Sequence, residues 1–224
     1  MEIPDELKTL NREIKDKIAG RKSPRRIWVT SLSFCLRKAA LSIYLGTSKY
    51  ERTGDMLLGT LLHKWVQENV EVGDIEFEVP LEYKISDGWI LVGRADAILG
   101  DKILEFKLKG FNQENGPGSL KEMEEPSWTW KEQLNAYLTM AGLEEGYIYV
   151  FNRDGLDFKH FKVEKDKELF DKLLRRAWVV IRGVEELDQG KFPAWITPRR
   201  SDECDSCPFR PICAAIDKPW EKSR

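Results

Sequence analysis

The chain has 224 residues, with 36 Lys+Arg against 38 Asp+Glu and a formal net charge of -2 at pH 7. Apolar residues make up 42%, and no run approaches the ~20 apolar residues of a membrane-spanning helix, which excludes such a helix. Two large and nearly cancelling charge populations leave little whole-molecule field, so any nucleic-acid partner is held by a local basic patch.

The opening stretch MEIPDELKTLNREIKDK has charges where a signal peptide needs its apolar segment, and a cytoplasmic protein is expected. Residues 4–19 carry Leu7, Leu10, Ile14 and Ile18 at helical spacing. A basic loop follows, with Arg21, Lys22, Arg25 and Arg26 around Ser23-Pro24. A second helix is expected from Thr30 or Ser31 to about Leu45, with Cys35 on it, and a third over 53–71, with His63 among Leu57, Leu58, Leu61, Leu62, Trp65 and Val66. From Ile75 the period changes to two, and IEFEVPLEYKI, GWILVGRADAIL and KILEFKL read as strands. A polar loop leads to a helix from about Pro126 to Ala141. GYIYVFN and LDFKHFKV form a hairpin across Asp154-Gly155, and a long helix covers about 165–187. The tail from Phe192 reads as an irregular, cysteine-tied element. The order suggests one α/β core with a helical, cysteine-bearing cap.

Asp96 and Glu105 carry the most chemical information. Leu99-Gly100-Asp101-Lys102 reads as a two-residue hairpin turn with Gly100 at positive φ, which pairs Ala97 with Leu104 and sets Asp96 opposite Glu105. Facing carboxylates repel unless neutralised, and a divalent cation would neutralise them. Glu105 and Lys107 are two apart and share a strand face, opposite Leu104, Phe106 and Leu108. Oxygen ligands suit Mg²⁺ or Mn²⁺, and an ion with a neighbouring lysine suits phosphodiester hydrolysis. The plain alternative is an exposed ion-pair network on a sheet face. Gln133 and Tyr137, at i and i+4, share a helix face.

Four cysteines in a reducing compartment point away from disulfides. Cys204-x2-Cys207-x5-Cys213 brings three thiols into one short segment, and Cys35 adds a fourth soft ligand from far upstream. By ligand type alone, zinc and an iron–sulfur cluster remain open.

In this order His63, Asp96, Glu105-Phe106-Lys107 and Gln133-x3-Tyr137 resemble the PD-(D/E)XK nuclease superfamily and its RecB-like branch, with Ala95 where the superfamily name has proline. The resemblance implies a restriction-endonuclease-like core, a mixed central sheet flanked by helices. It implies His63, Asp96, Glu105 and the Phe106 carbonyl as metal ligands, and Asp96, Glu105, Lys107, Gln133 and Tyr137 as catalytic residues. With Cys35 before these motifs and the cysteine triplet after them, the chain is similar to the CRISPR-associated RecB-like exonucleases, the Cas-four family. That similarity implies a four-iron four-sulfur cluster on Cys35, Cys204, Cys207 and Cys213, dividing the chain into 1–52, a nuclease core at 53–190 and a cluster segment at 191–224. The implied function is Mn²⁺- or Mg²⁺-dependent, 5′-to-3′ degradation of single-stranded DNA, trimming ends for a CRISPR integrase complex. A free-standing repair or viral nuclease and a non-catalytic iron–sulfur DNA-binding scaffold are the alternatives. DNA contacts are expected at Arg25, Arg26, Trp130, Arg199 and Arg200, with Lys109 and Trp128 as further candidates. Homo-oligomerisation is left open.

Overall fold

The computed structural model describes residues 24–46, 54–111, 119–155, 157–197 and 204–216. The expected helix at 4–19, together with Arg21, Lys22, Arg199 and Arg200, lies outside the described residues.

One mixed sheet is built from β1 (Arg25–Trp28), β2 (Ile75–Ser86), β3 (Trp89–Leu99), β4 (Lys102–Lys109), β5 (Glu145–Asn152) and β6 (Phe158–Glu164). Around it lie α1 (Val29–Leu32), α2 (Leu36–Leu45), α3 (Gly54–Asn69), α4 (Trp128–Ala141), α5 (Lys167–Asp188) and α6 (Arg210–Ile216). Pairing is antiparallel for β2–β3, β3–β4 and β5–β6, and parallel for β1–β3 and β4–β5. The parallel β4–β5 pair requires a crossover, which α4 supplies. The turn between β3 and β4 forms as its sequence dictates, with Gly100 at φ 57 and Ala97, Ile98 and Leu99 facing Leu104, Ile103 and Lys102.

The central feature is a fork in the sheet. β2 lies along one edge of β3. The other edge is shared, since β1 pairs with Trp89–Val92 and β4 with Ala97–Leu99. Residues 93–96 between them join neither ladder on that edge. At the end of this gap the β2–β3 ladder also skips one position: Phe77 pairs with Ala97 and Val79 with Ala95, while Glu78 and Asp96 stay unpaired. Side-chain direction slips there too. Trp89, Leu91 and Ala95 face the main core, but beyond Asp96 it is Ile98 that does so, while Ala97 and Leu99 turn to the opposite face.

The main core lies between the sheet and helices α1, α2, α4 and α5. The α5 helix is capped by Asp166, whose Oδ1 accepts from the N–H groups of Glu168 and Leu169 at 2.8 and 3.3 Å. It then buries Phe170, Leu173, Ala177, Val180, Val184 and Leu187 as one stripe. On the other sheet face α3 places Val66 against Ala97, Leu104 and Phe106. The single expected helix over 30–45 is two helices. The chain breaks at Ser33, whose hydroxyl donates to buried Glu132 at 3.3 Å, and Cys35 takes the extended N-cap position of α2 instead of a helical one. The short strand β1 has too few residues for a period to show. The expected irregular tail contains helix α6.

Arg37 joins the two ends of the chain. Its side chain is buried, Nε donates to the Ile196 carbonyl at 2.8 Å and Nη2 to the Ala194 carbonyl at 3.2 Å, and the guanidinium lies over the Phe192 ring. Beyond it, Phe209, Cys207 and Ile212 pack with Leu41 of α2 and Leu187 of α5. Arg37→Met keeps much of the volume but strands the buried Ile196 carbonyl, at a cost of about 1–3 kcal/mol, and the part-buried Ala194 carbonyl at a smaller one. In thermal unfolding this variant is expected to lose at least ~5 °C, and Arg37→Lys less; an unchanged midpoint for Arg37→Met removes Arg37 as the tie.

Candidate active site at the strand fork

The fork brings the catalytic candidates together by backbone geometry. Where the β3–β4 ladder stops, Asp96 Oδ2 accepts from the Phe106 N–H at 2.7 Å, so a side chain replaces the ladder bond. The Phe106 carbonyl lies 3.0 Å from His63 Nε2, and His63 Nδ1 lies 3.3 Å from Asp96 Oδ1. His63 comes from α3 and thus reaches the fork from the sheet face opposite α4.

From the other face α4 delivers Gln133 and Tyr137. Glu105 is 1% exposed. Its Oε1 accepts from Lys107 Nζ at 2.6 Å and from Gln133 Nε2 at 2.6 Å. The Gln133 Oε1 accepts from Lys107 at 3.1 Å, and Gln133 Nε2 also lies 3.2 Å from the Tyr137 hydroxyl. Tyr137 fits because position 93 is glycine: a Cβ there would meet Tyr137 Cε1 at 2.3 Å. Burial pushes the Tyr137 hydroxyl well above its ordinary range, which keeps it neutral.

Glu105 Oε2 is buried and has no hydrogen-bond partner. Leaving a carboxylate oxygen bare in the interior is costly, and a cation seated against it would remove that cost. Burial raises the Glu105 carboxyl to about 7, with Lys107 opposing and Asp96 reinforcing the shift. Burial likewise raises Asp96 to about 6, opposed by Lys107 and the Phe106 N–H. Two carboxyls that resist ionisation beside a histidine and the Phe106 carbonyl form a donor set suited to a hard divalent ion.

Glu78 is a member of this site that sequence reasoning missed. One ligand atom each from His63, Glu78 and Asp96 lie within 4.8 Å of one another. Glu78 has φ 55, a left-handed conformation unusual for a non-glycine residue, costing about 1–3 kcal/mol. Its carboxylate is held by Gln67 Nε2 at 2.9 Å and by Arg94 Nε at 2.5 Å. The available signal was the β2–β3 pairing. Counted from the Ser86–Trp89 pair at the turn, however, Val79 would oppose Asp96; an irregularity between Lys84 and Ser86 shifts the register by one and substitutes Glu78.

The other candidates are dispersed. The Arg25 guanidinium pairs with Asp188 at 2.7 Å and lies over the Trp89 ring, and Arg26 pairs with Glu82. Trp130 is half-buried against the main core, whereas Trp128 is 53% exposed. Lys109 lies over the Phe111 ring. None of the four cysteines is in a disulfide. Among the described residues, no three of their sulfurs gather within 4.8 Å of one another.

Because both raised carboxyls hold their protons in the folded state, they favour folding below about pH 4, and this contribution is lost as pH rises toward about 7. Metal binding requires them ionised. Stabilisation by saturating Mn²⁺, read as the shift in thermal midpoint against EDTA, is therefore expected to be small at pH 5 and to grow steadily to pH 8. A shift independent of pH removes these carboxyls from the ligand set.

The family comparison matches residues 35–214 to the PD-(D/E)XK nuclease superfamily. No curated protein matches. Among solved structures, the chain is similar to the crystal structure of SSO0001, with 21% identity, 96% of this chain and 99% of that chain covered, and a TM-score of 0.56. It is also similar to the alkaline exonuclease LHK-Exo from Laribacter hongkongensis, with 13% identity, coverage of 74% and 90%, and a TM-score of 0.54. A phage-related exonuclease from Haemophilus somnus 129PT gives 14% identity, coverage of 69% and 81%, and a TM-score of 0.52. These likenesses establish the mixed α/β fold, and the match over residues 35–214 shows that the chain belongs to the PD-(D/E)XK nuclease superfamily.

Proposed function

We propose that the protein is a divalent-metal-dependent exonuclease acting on single-stranded DNA. The observation that carries this reading is the bare, buried oxygen of Glu105 beside Asp96, His63 and the Phe106 carbonyl. These four groups, with Glu78 at hand, are the residues that would hold Mn²⁺ or Mg²⁺. Once bound, such an ion polarises a phosphoryl oxygen and lowers the pKa of a bound water.

The remaining work belongs to the chain's own residues. Lys107 is fixed between Glu105 and Gln133, so its ammonium is in place to orient the attacking water and to offset charge developing on the phosphate. Gln133 fixes both Glu105 and Lys107, and buried Tyr137 fixes Gln133. No side-chain search is needed when the substrate arrives.

The finer reading follows the order of motifs along the sequence. We infer a cytoplasmic enzyme that trims DNA ends for a CRISPR integrase complex, with Cys35, Cys204, Cys207 and Cys213 binding a four-iron four-sulfur cluster. Support for the cluster comes from four thiols outside any disulfide and from the packing of the Cys207 segment on α2, whose N-cap is Cys35. The proposed division is 1–52, 53–190 and 191–224. Among the described residues no helix is long and apolar enough to cross a membrane.

Two experiments test this. Labelled single-stranded DNA incubated with Mn²⁺ is expected to be degraded from an end, and Glu105→Ala to lower the rate by about 10²–10³-fold, the scale of losing one preorganised electrostatic group; equal rates for both proteins sink the assignment. Protein purified without oxygen is expected to be brown and to lose its colour in Cys207→Ser. Colourless protein carrying one zinc per chain overturns the cluster.

A further inference from the structure

Outside the fork, the largest unexplained grouping lies on the sheet face that carries α3. Strand register sorts its outward side chains into rows. Phe106 pairs with Tyr149, which pairs with His160; Leu108 pairs with Phe151, which pairs with Phe158; and Tyr147 lies one row further along β5. The rings touch in sequence, with Phe106–Tyr149 centroids at 5.9 Å, Tyr149–His160 at 5.7 Å, Tyr149–Phe158 at 5.9 Å and Phe151–Phe158 at 5.4 Å. The α3 helix covers only the β3–β4 part of this face through Leu62 and Val66. Beyond it Phe158 is 55% exposed, His160 is exposed, and Tyr147, Tyr149 and Phe151 are half-buried.

We propose that this aromatic face is a base-stacking platform for the single-stranded DNA whose end enters the fork. The proposal rests on the nuclease reading above and names where that substrate lies. Two observations select this occupant. The ring series begins at Phe106, which also turns its carbonyl to His63, so platform and candidate metal site share a residue. Rings with polar rims, two tyrosines and a histidine among them, suit stacked bases that remain partly wet, and stacking is tolerant of sequence. A second copy adding a strand at β6 is disfavoured because Lys159 and Lys162 lie on that edge strand.

The test uses the full chain in EDTA, where no cleavage occurs, with fluorescein-labelled oligothymidylate as the probe. Tyr149→Leu/Phe158→Leu is expected to weaken binding about ten-fold or more while leaving the slope against salt unchanged, because no phosphate contact is removed. An oligonucleotide with abasic sugars is expected to bind wild type and variant alike. Equal thymidylate affinity for the two proteins overturns the platform. So does sedimentation that shows the substitutions dissociating a dimer, which would make this face an interface between copies. Ring-dependent binding by a wild-type protein that never cleaves DNA in Mn²⁺ would sink the nuclease reading and leave the platform standing; cleavage without ring dependence would do the reverse.

Discussion

The site depends on one substitution in the hydrogen-bond pattern of the sheet, in which the Asp96 carboxylate takes the Phe106 N–H that a neighbouring strand would otherwise satisfy. Backbone donors in a sheet interior must be paired. If Asp96 were apolar, β3 and β4 would have to zip further or leave Phe106 bare. With the carboxylate in place β4 parts from β3, the Phe106 carbonyl is turned to His63, and Glu105 is carried inward to Gln133 and Lys107. A single bond thus sets the position of three candidate ligands. The fork is held open by the β1 pairing at one end of β3 and the β4 pairing at the other.

This arrangement opposes stability. Glu105 is nearly inaccessible with one oxygen bare, Asp96 ionises reluctantly, and Glu78 sits in a conformation that non-glycine residues avoid. Each feature is unfavourable alone, and their coincidence at one point is the pattern of strain held for function. The main core on one sheet face and the α3 cluster on the other offset these costs. Arg37 and the Glu132–Arg176 pair, at 2.8 Å between α4 and α5, fix the surrounding helices. Fixed surroundings matter because Gln133 bonds both members of the Lys107–Glu105 ion pair and so sets where that pair points.

Much of this was legible in the residues. The Gly100 turn gave the β3–β4 register from Leu99–Lys102 to Ala97–Leu104, because a two-residue turn leaves no freedom in pairing; the expected pairing of Asp96 with Glu105 does not follow, since the ladder stops there and Asp96 accepts from the Phe106 N–H. The helix positions of His63, Gln133 and Tyr137 followed from periodicity. Glu78 was hidden because a one-residue irregularity changes the partner of every later residue, and nothing local in Lys84–Ser86 announces it. The break at Ser33 was hidden because its cause, Glu132, is distant in sequence. Arg25 and Arg26 looked like nucleic-acid contacts as a basic run; in the fold each faces a carboxylate, Asp188 and Glu82, and only tertiary structure supplies those partners.

Phe106 links the two faces of the sheet. Its carbonyl lies in the plane of the fork, while its ring, 6% exposed, is wedged among His63, Tyr149 and Phe151 on the α3 face. The ring turns only about its own χ1 and χ2, and close packing at this burial leaves those rotations little room. Displacement of Tyr149 or Phe151 presses on the Phe106 ring, whose residue also carries the carbonyl at the candidate metal site. A base settling on the rings and an ion settling at the fork would then act on the same backbone segment.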